Sequence, residues 1–276
     1  VRWSVTMLVA AREVREAARS RWFGLAAACF LVLSLALALL GLAGAQRSGL
    51  AGFDRTTASL LHLVLVFVPL VTLSLGGLGL AGELEDQSLS MLLAQPVTRA
   101  EVYAGKYLGL LAAVGAAVLA GFGTTGALVG ITAGGDVRAF GVLVLLTLLL
   151  AAATLAVGTL LSVALRSRAR VIGAAFAVWL FLVYVSDLGT IGLAVARSLE
   201  PGQVFALALL NPVQQARVLG TLALTDRLDV LGPVGLFGRD QFGVAGLVGV
   251  LGAALVLFTA APLAAGYALF RKAAVP

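Results

Sequence analysis

Six long apolar runs separated by short polar breaks dominate the chain. They cover about Trp22–Ala43, Ala58–Ala81, Tyr107–Ile131, Phe140–Leu165, Val171–Arg197 and Phe242–Phe270. Each reaches or exceeds the roughly 20 residues an α-helix needs to cross a hydrocarbon layer. Helices close their own backbone hydrogen bonds, so they are the expected spanning form. The pattern predicts an all-α membrane protein with six transmembrane helices in a single domain over 1–276. Residues 1–21 form a helical segment before the first span, and 198–241 form the longest break between spans. In that break Val204–Leu210 is apolar, Asn211-Pro212 interrupts it, and Val213–Leu224 is too short and too polar for a seventh span. Short helices packed on one mouth of the bundle are expected there.

Composition agrees with this reading. The 276 residues are 61% hydrophobic and only 12% charged, against about 25% charged in soluble domains. The net charge of +6 could suggest nucleic acid, but in a polytopic protein it reports loops on one side of the membrane, so no nucleic-acid partner is expected. With both termini inside, twelve of the 19 Lys and Arg fall on the cytoplasmic side and seven outside. The positive-inside rule therefore favours cytoplasmic termini. Ser4–Arg19 reads as an amphipathic helix lying on the cytoplasmic surface, with Met7, Leu8 and Val14 toward lipid.

The polar stretch Gly82–Lys106, GELEDQSLSMLLAQPVTRAEVYAGK, carries the most information. Glu83, Glu85 and Asp86 follow the second span. Ser88–Ala94 reads as a short helix offering Leu89, Met91, Leu92 and Leu93, and Pro96 ends it. Exposed leucines on such a loop call for a protein partner, or else rest on the bilayer. Thr98 and Glu101 have capping-box spacing, so the next helix should start near Arg99. Gly105-Lys106 is no phosphate loop, because Ala100 and Tyr107 stand where glycine and Ser or Thr are required.

The order Glu83, Ser88, Leu92-Leu93, Pro96, Arg99, Gly105-Lys106 resembles the type-two ABC exporter permease family over nearly the whole chain. The resemblance implies six spans, an amphipathic N-terminal helix, and a coupling helix in this loop. It also implies a homodimer bound to a cytoplasmic ATPase dimer, with ATP and Mg on that partner and no cofactor or catalysis in this chain. A bacterial inner membrane location follows. Glu83, Glu85, Ser88, Leu89, Leu92, Leu93, Pro96 and Arg99 are the expected ATPase-coupling residues. Arg166 and Arg168 join them, although anionic membrane lipid is the simpler reading of the Arg166, Arg168, Arg170 cluster.

A narrower likeness rests on Trp179–Val183, Asp187-Leu188 and Leu210-Asn211-Pro212 with Arg217 five residues on. These resemble the branch of the family that serves assembly of the copper–sulfide centre of nitrous oxide reductase. That branch implies a periplasmic β-helical partner, for which Asn211, Pro212, Arg217, Arg227, Asp229 and Arg239 are candidate contacts. Asp187 is an ionisable group within a span, expensive unless paired or facing water. It can pair with Arg217 or Arg197, line an outer cavity, or sit solvated at the helix end.

Copper itself has few candidate ligands here. Cu(I) favours thiolate, thioether or imidazole, and the chain holds one Cys (Cys29), one His (His62) and two Met (Met7, Met91), spread over different levels. No metal site is expected. Two other readings remain: a permease that moves a lipid, drug or small ion, and an intramembrane enzyme, which lacks H-E-x-x-H, G-x-S-x-G and paired intramembrane aspartates. Gly126/Gly130 and the repeat Gly243, Gly246, Gly249, Gly252 predict close helix packing within the chain or across a dimer seam.

Overall fold

The computed structural model describes residues 2–48, 51–87, 96–133, 137–189, 192, 200–224 and 232–272. Among them, α1 spans Trp3–Arg19, α2 Arg21–Ser48, α3 Ala51–Glu85, α4 Arg99–Ala133 and α5 Val137–Leu165. The helix α6, Arg168–Leu180, continues through a π-helical turn at Phe181–Val185. Then come α7, Pro201–Ala208, α8, Pro212–Leu224, and α9, Gly232–Lys272. Six of these stretches are long and apolar enough to cross a membrane: Arg21–Ala43, Thr57–Glu85, Arg99–Ile131, Arg138–Leu165, Arg168–Gly189 and Gly235–Lys272.

The pair α3 and α5 is the spine of the bundle. Their backbones approach because two glycines face each other at the crossing. A Cβ on Gly76 would stand 2.6 Å from the Leu155 carbonyl oxygen, and one on Gly158 would stand 2.6 Å from that of Leu73. Thr72 and Thr154 share a buried 2.6 Å hydroxyl contact at the same crossing. Above and below lie fully buried Leu60, Leu65, Leu73, Leu143, Leu150 and Leu155. Close approach of this kind is how apolar helices gain dispersion energy where lipid is as greasy as the partner helix. Gly158→Val is therefore expected to wedge the spine apart, and size-exclusion chromatography after detergent extraction should show loss of the monodisperse peak.

The glycines singled out by spacing behave differently. Gly126 meets only Phe140 at 3.4 Å, and nothing lies within 4 Å of Gly130, Gly249 or Gly252. They leave open faces instead of intrachain crossings. Gly243 has φ +66° and breaks α9 into two helical pieces, a conformation that side chains disfavour. The kink falls inside the Gly235–Lys272 stretch.

The helices α2, α6 and α9 keep wide apolar faces uncovered, including Leu25 and Leu40, Phe176 and Phe181, and Val256 and Leu257. In contrast, α8 is part of the packed bundle. It inserts against α3, α5 and α9, burying Pro212, Val213, Gln215, Ala216, Val218 and Gly220. Gly220 lets α8 approach closely: a Cβ there would meet the Leu61 side-chain end at 2.6 Å and force it to shift.

Candidate functional site

At one end of the bundle, both chain ends, the exit of α3, the entrance of α4 and the α5–α6 turn converge. The entrance of α4 is built first from local chemistry. Thr98 Oγ1 accepts the Glu101 N–H at 3.3 Å, and Glu101 Oε2 accepts the Thr98 N–H at 2.8 Å. This reciprocal pair satisfies two otherwise free helix-start donors. Glu101 is buried, and its other oxygen accepts the Arg2 N–H at 2.7 Å and Arg2 Nε at 3.4 Å. The Arg2 guanidinium also donates to the Pro96 carbonyl. Arg99 reaches the far end of the chain and donates to the Phe270 and Arg271 carbonyls at 3.2 and 2.8 Å. It thereby satisfies acceptors that the C-terminus of α9 leaves open.

One turn further along, α1 lies directly on α4. Thr6, Ala10, Glu13 and Ala17 form its buried stripe. The matching floor is Gly105 and Gly109, where a Cβ would come within 2.9 Å of the Thr6 and 2.6 Å of the Ala10 carbonyl oxygen. Met7 and Leu8 stay exposed, and Val14 is half-buried. The close approach brings Glu13 to Lys106 at 2.9 Å, and Lys106 also holds Glu83 of α3 at 2.9 Å. A third donor direction of the ammonium ends on the Gly79 carbonyl at 3.3 Å. Lys106 and Glu13 are both buried. Burial pushes the Glu13 carboxyl above the usual range, against the pull of Lys106. A cleft of about 290 Å³ opens beside the cluster, lined by Glu16, Ser20, Trp22, Glu83, Asp86 and Arg168 among others.

The exit of α3 is tied to the start of α6. Glu85 accepts the Arg168 N–H at 2.7 Å, supplying the cap that Ser167 does not make. Asp86 pairs with the Arg168 side chain. The turns end on residues with left-handed backbone, Gln87 (φ 56°) and Arg166 (φ 54°).

Of the expected coupling residues, Glu83, Glu85, Pro96, Arg99 and Arg168 thus sit in one connected network, and Arg166 is exposed beside it. Ser88, Leu89, Leu92 and Leu93 lie outside the described residues. Glu13, the contact of Glu101 with Arg2 and the bridging role of Lys106 escaped sequence reasoning. The signal available was the small-residue stripe Thr6, Ala10, Ala17 at helical spacing, with one carboxylate on it.

At the opposite end, α6 and α8 are joined. The π-helical turn widens α6, and the Leu182 carbonyl within it accepts Asn211 Nδ2 at 2.6 Å. Asn211 Oδ1 accepts the Val213 N–H at 2.9 Å and starts α8. Arg217 pairs with Asp187 at 2.6 Å, and Gln214 donates to the same carboxylate. Asp187 therefore takes the Arg217 alternative. Asn211 and Pro212 are buried and make their contacts inside the bundle. Arg239 is exposed, whereas Arg227 and Asp229 lie outside the described residues. Asn211→Ala leaves the Leu182 carbonyl without its donor in a buried site. The expected cost is about 1–3 kcal/mol, read as a lower melting temperature in nanodiscs.

The residues discussed as copper ligands stand apart. Cys29 is exposed on α2, Met7 is exposed on α1, and His62 Nδ1 sits 3.1 Å from the Ala58 carbonyl on α3. Met91 lies outside the described residues.

Residues 7–275 match the model of the ABC-2 family transporter proteins. A protein of Pseudomonas aeruginosa, named probable ABC transporter permease protein NosY, is 30% identical over 285 aligned residues, covering 97% of this chain and 98% of the relative. A protein of the same name from Stutzerimonas stutzeri is 30% identical over 271 residues, covering 96% of this chain and 97% of the relative. Six membrane-crossing helices and a family match over nearly every residue lead to one conclusion: the chain belongs to the ABC-2 family of transporter permeases.

Proposed function

We propose that this permease passes ATP-driven motion from a cytoplasmic NosF-like ATPase dimer to the periplasmic side of a bacterial inner membrane. Its biological task is assembly of the copper–sulfide centre of nitrous oxide reductase. The observation that carries the mechanical part is the convergence at one bundle end. Residues 82–87 and 96–106, the 166–168 turn and both chain ends are bonded to each other through Glu101, Lys106, Arg99 and Arg168. A push on the 82–106 segment moves α1, α3, α4, α6 and α9 together, because each is tied to it by at least one charge-assisted bond. Two copies form the working unit, with both termini on the cytoplasmic side. ATP and Mg stay on the partner ATPase, and this chain carries no cofactor or metal.

The copper-site assignment rests on the two NosY relatives. On this reading the outer ends of α6, α8 and α9 face a NosD-like periplasmic β-helical protein. Arg217 and Asp187 hold α8 in register with α6, so α8 follows any tilt of α6. Arg239 stands on the exposed surface available to a partner.

A deletion strain tests the biological role. Nitrous oxide reductase purified from it is expected to lack the copper–sulfide centre, and the wild-type gene in trans should restore it. A reductase with the complete centre from the deletion strain would refute the assignment.

A further inference from the structure

The Glu13–Lys106–Glu83 cluster has more negative than positive charge. Two carboxylates from two helices face a single ammonium from a third, at 2.9 Å each. Lys106 and Glu13 are only 5% and 9% exposed. Glu83 Oε2 is shut away from solvent without a hydrogen-bond partner among the described residues. An uncompensated charge in such a place is expensive, and a carboxyl there takes up a proton instead. The other charged groups facing Glu13 do not restore the balance. On α1, Glu16 is paired with Arg12 at 2.6 Å. At the exit of α3, Asp86 is paired with Arg168 of α6. The Arg12 guanidinium also attracts Glu13 and Glu83, but it is half-exposed and bonded to Glu16, so solvent screening leaves most of the excess on the cluster.

Glu13 is placed to carry the proton. It is the more buried of the two carboxylates, and its environment favours the neutral form. With Glu13 neutral, Lys106 and Glu83 form a balanced pair, and the Glu13 carbonyl oxygen still accepts from the ammonium. With Glu13 ionised, the like charges repel across the α1–α3 gap.

We propose that this cluster is a proton-bound joint: one proton held between α1, α3 and α4 clamps the N-terminal helix to the bundle, and its loss releases that helix. The sign is fixed by the direction of the shift. An acid whose native value is raised supports the folded arrangement at low pH and withdraws that support as pH rises through its native value. The clamp therefore loosens with rising pH. This inference stands apart from the copper-site and ATPase readings, and its test needs neither partner.

Spin-label mobility on α1 reads the joint directly. The label goes on Leu8→Cys, an exposed position away from the cluster, in a Cys29→Ser background, with the full chain in nanodiscs. In the otherwise unchanged protein the mobile fraction is expected to rise at least threefold through a single transition above the ordinary carboxyl range. Glu13→Gln should abolish the transition and keep the label immobile throughout. Glu83→Gln removes the repelling charge and should move the midpoint to lower pH while keeping the transition. A flat profile in the parent, a transition that survives Glu13→Gln, or a midpoint unmoved or raised by Glu83→Gln would overturn the proposal.

Discussion

Lys106→Met should be among the most destabilising single substitutions in this chain. It leaves Glu83 without its counter-ion beside Glu13, and breaking a buried pair by removing one partner costs about 3–5 kcal/mol. Loss on that scale should lower the melting temperature in nanodiscs sharply and shift the protein into aggregates on extraction. The same reasoning predicts recovery. Lys106→Met combined with Glu13→Gln and Glu83→Gln removes all three ionisable groups, and a neutral, well-packed replacement of a buried ion cluster is often no less stable than the original. The triple variant is therefore expected to melt close to the unsubstituted protein. A triple variant as unstable as the single would mean that Lys106 acts through packing and not through charge.

The second large effect concerns assembly. Replacing Leu92 and Leu93 together by Asp is expected to abolish co-purification with the ATPase partner. Two carboxylates placed in an apolar contact are each desolvated without a partner, at several kcal/mol apiece, and every 1.4 kcal/mol is tenfold in affinity. A loss of at least a hundredfold follows, measured as retained ATPase per mole of permease on an affinity column. Lipid extraction and thermal stability should stay near those of the parent, because positions 92 and 93 fall in the sequence between the ends of α3 and α4 and not in the helices that form the spine.

Much of this organisation was legible in the sequence. The apolar runs located the six spans because hydrocarbon thickness fixes a minimum length. The Thr98 and Glu101 spacing located the start of α4, since a capping box is a local interaction between residues three apart. Asp187 was legible as a group that needs a partner, and Arg217 was one of two cations named for it.

Other features escaped for physical reasons. Glu13 and Lys106 are 93 positions apart, and nothing local in an Arg- and Glu-rich helix marks one carboxylate as buried. Glycine spacing did not say where the close packing falls, because the same three- or four-residue interval serves an open face at Gly249 and Gly252 and a tight crossing at Gly105 and Gly109. In a helix that is apolar all round, no polar stripe says which face is covered. Within the 198–241 break the sequence pointed to short helices packed on one mouth of the bundle, without showing how deeply α8 enters it. With Val218 and Gly220 buried and Arg217 bonded to Asp187, deleting Arg217–Arg239 would cut into the core. Point substitutions at exposed Arg239 are the appropriate probe of an outer partner. The π-helical turn at Phe181–Val185 left no mark in composition, although it creates the acceptor that Asn211 uses.

Native mass spectrometry of the affinity-purified complex, combined with cross-linking, tests the central claim most directly. The account predicts two copies of this chain bound to two copies of a nucleotide-hydrolysing chain, with cross-links from that chain concentrated on residues 82–106. Single copies without such a chain, or a companion cross-linked only to the bundle end that carries α7 and α8, would contradict it.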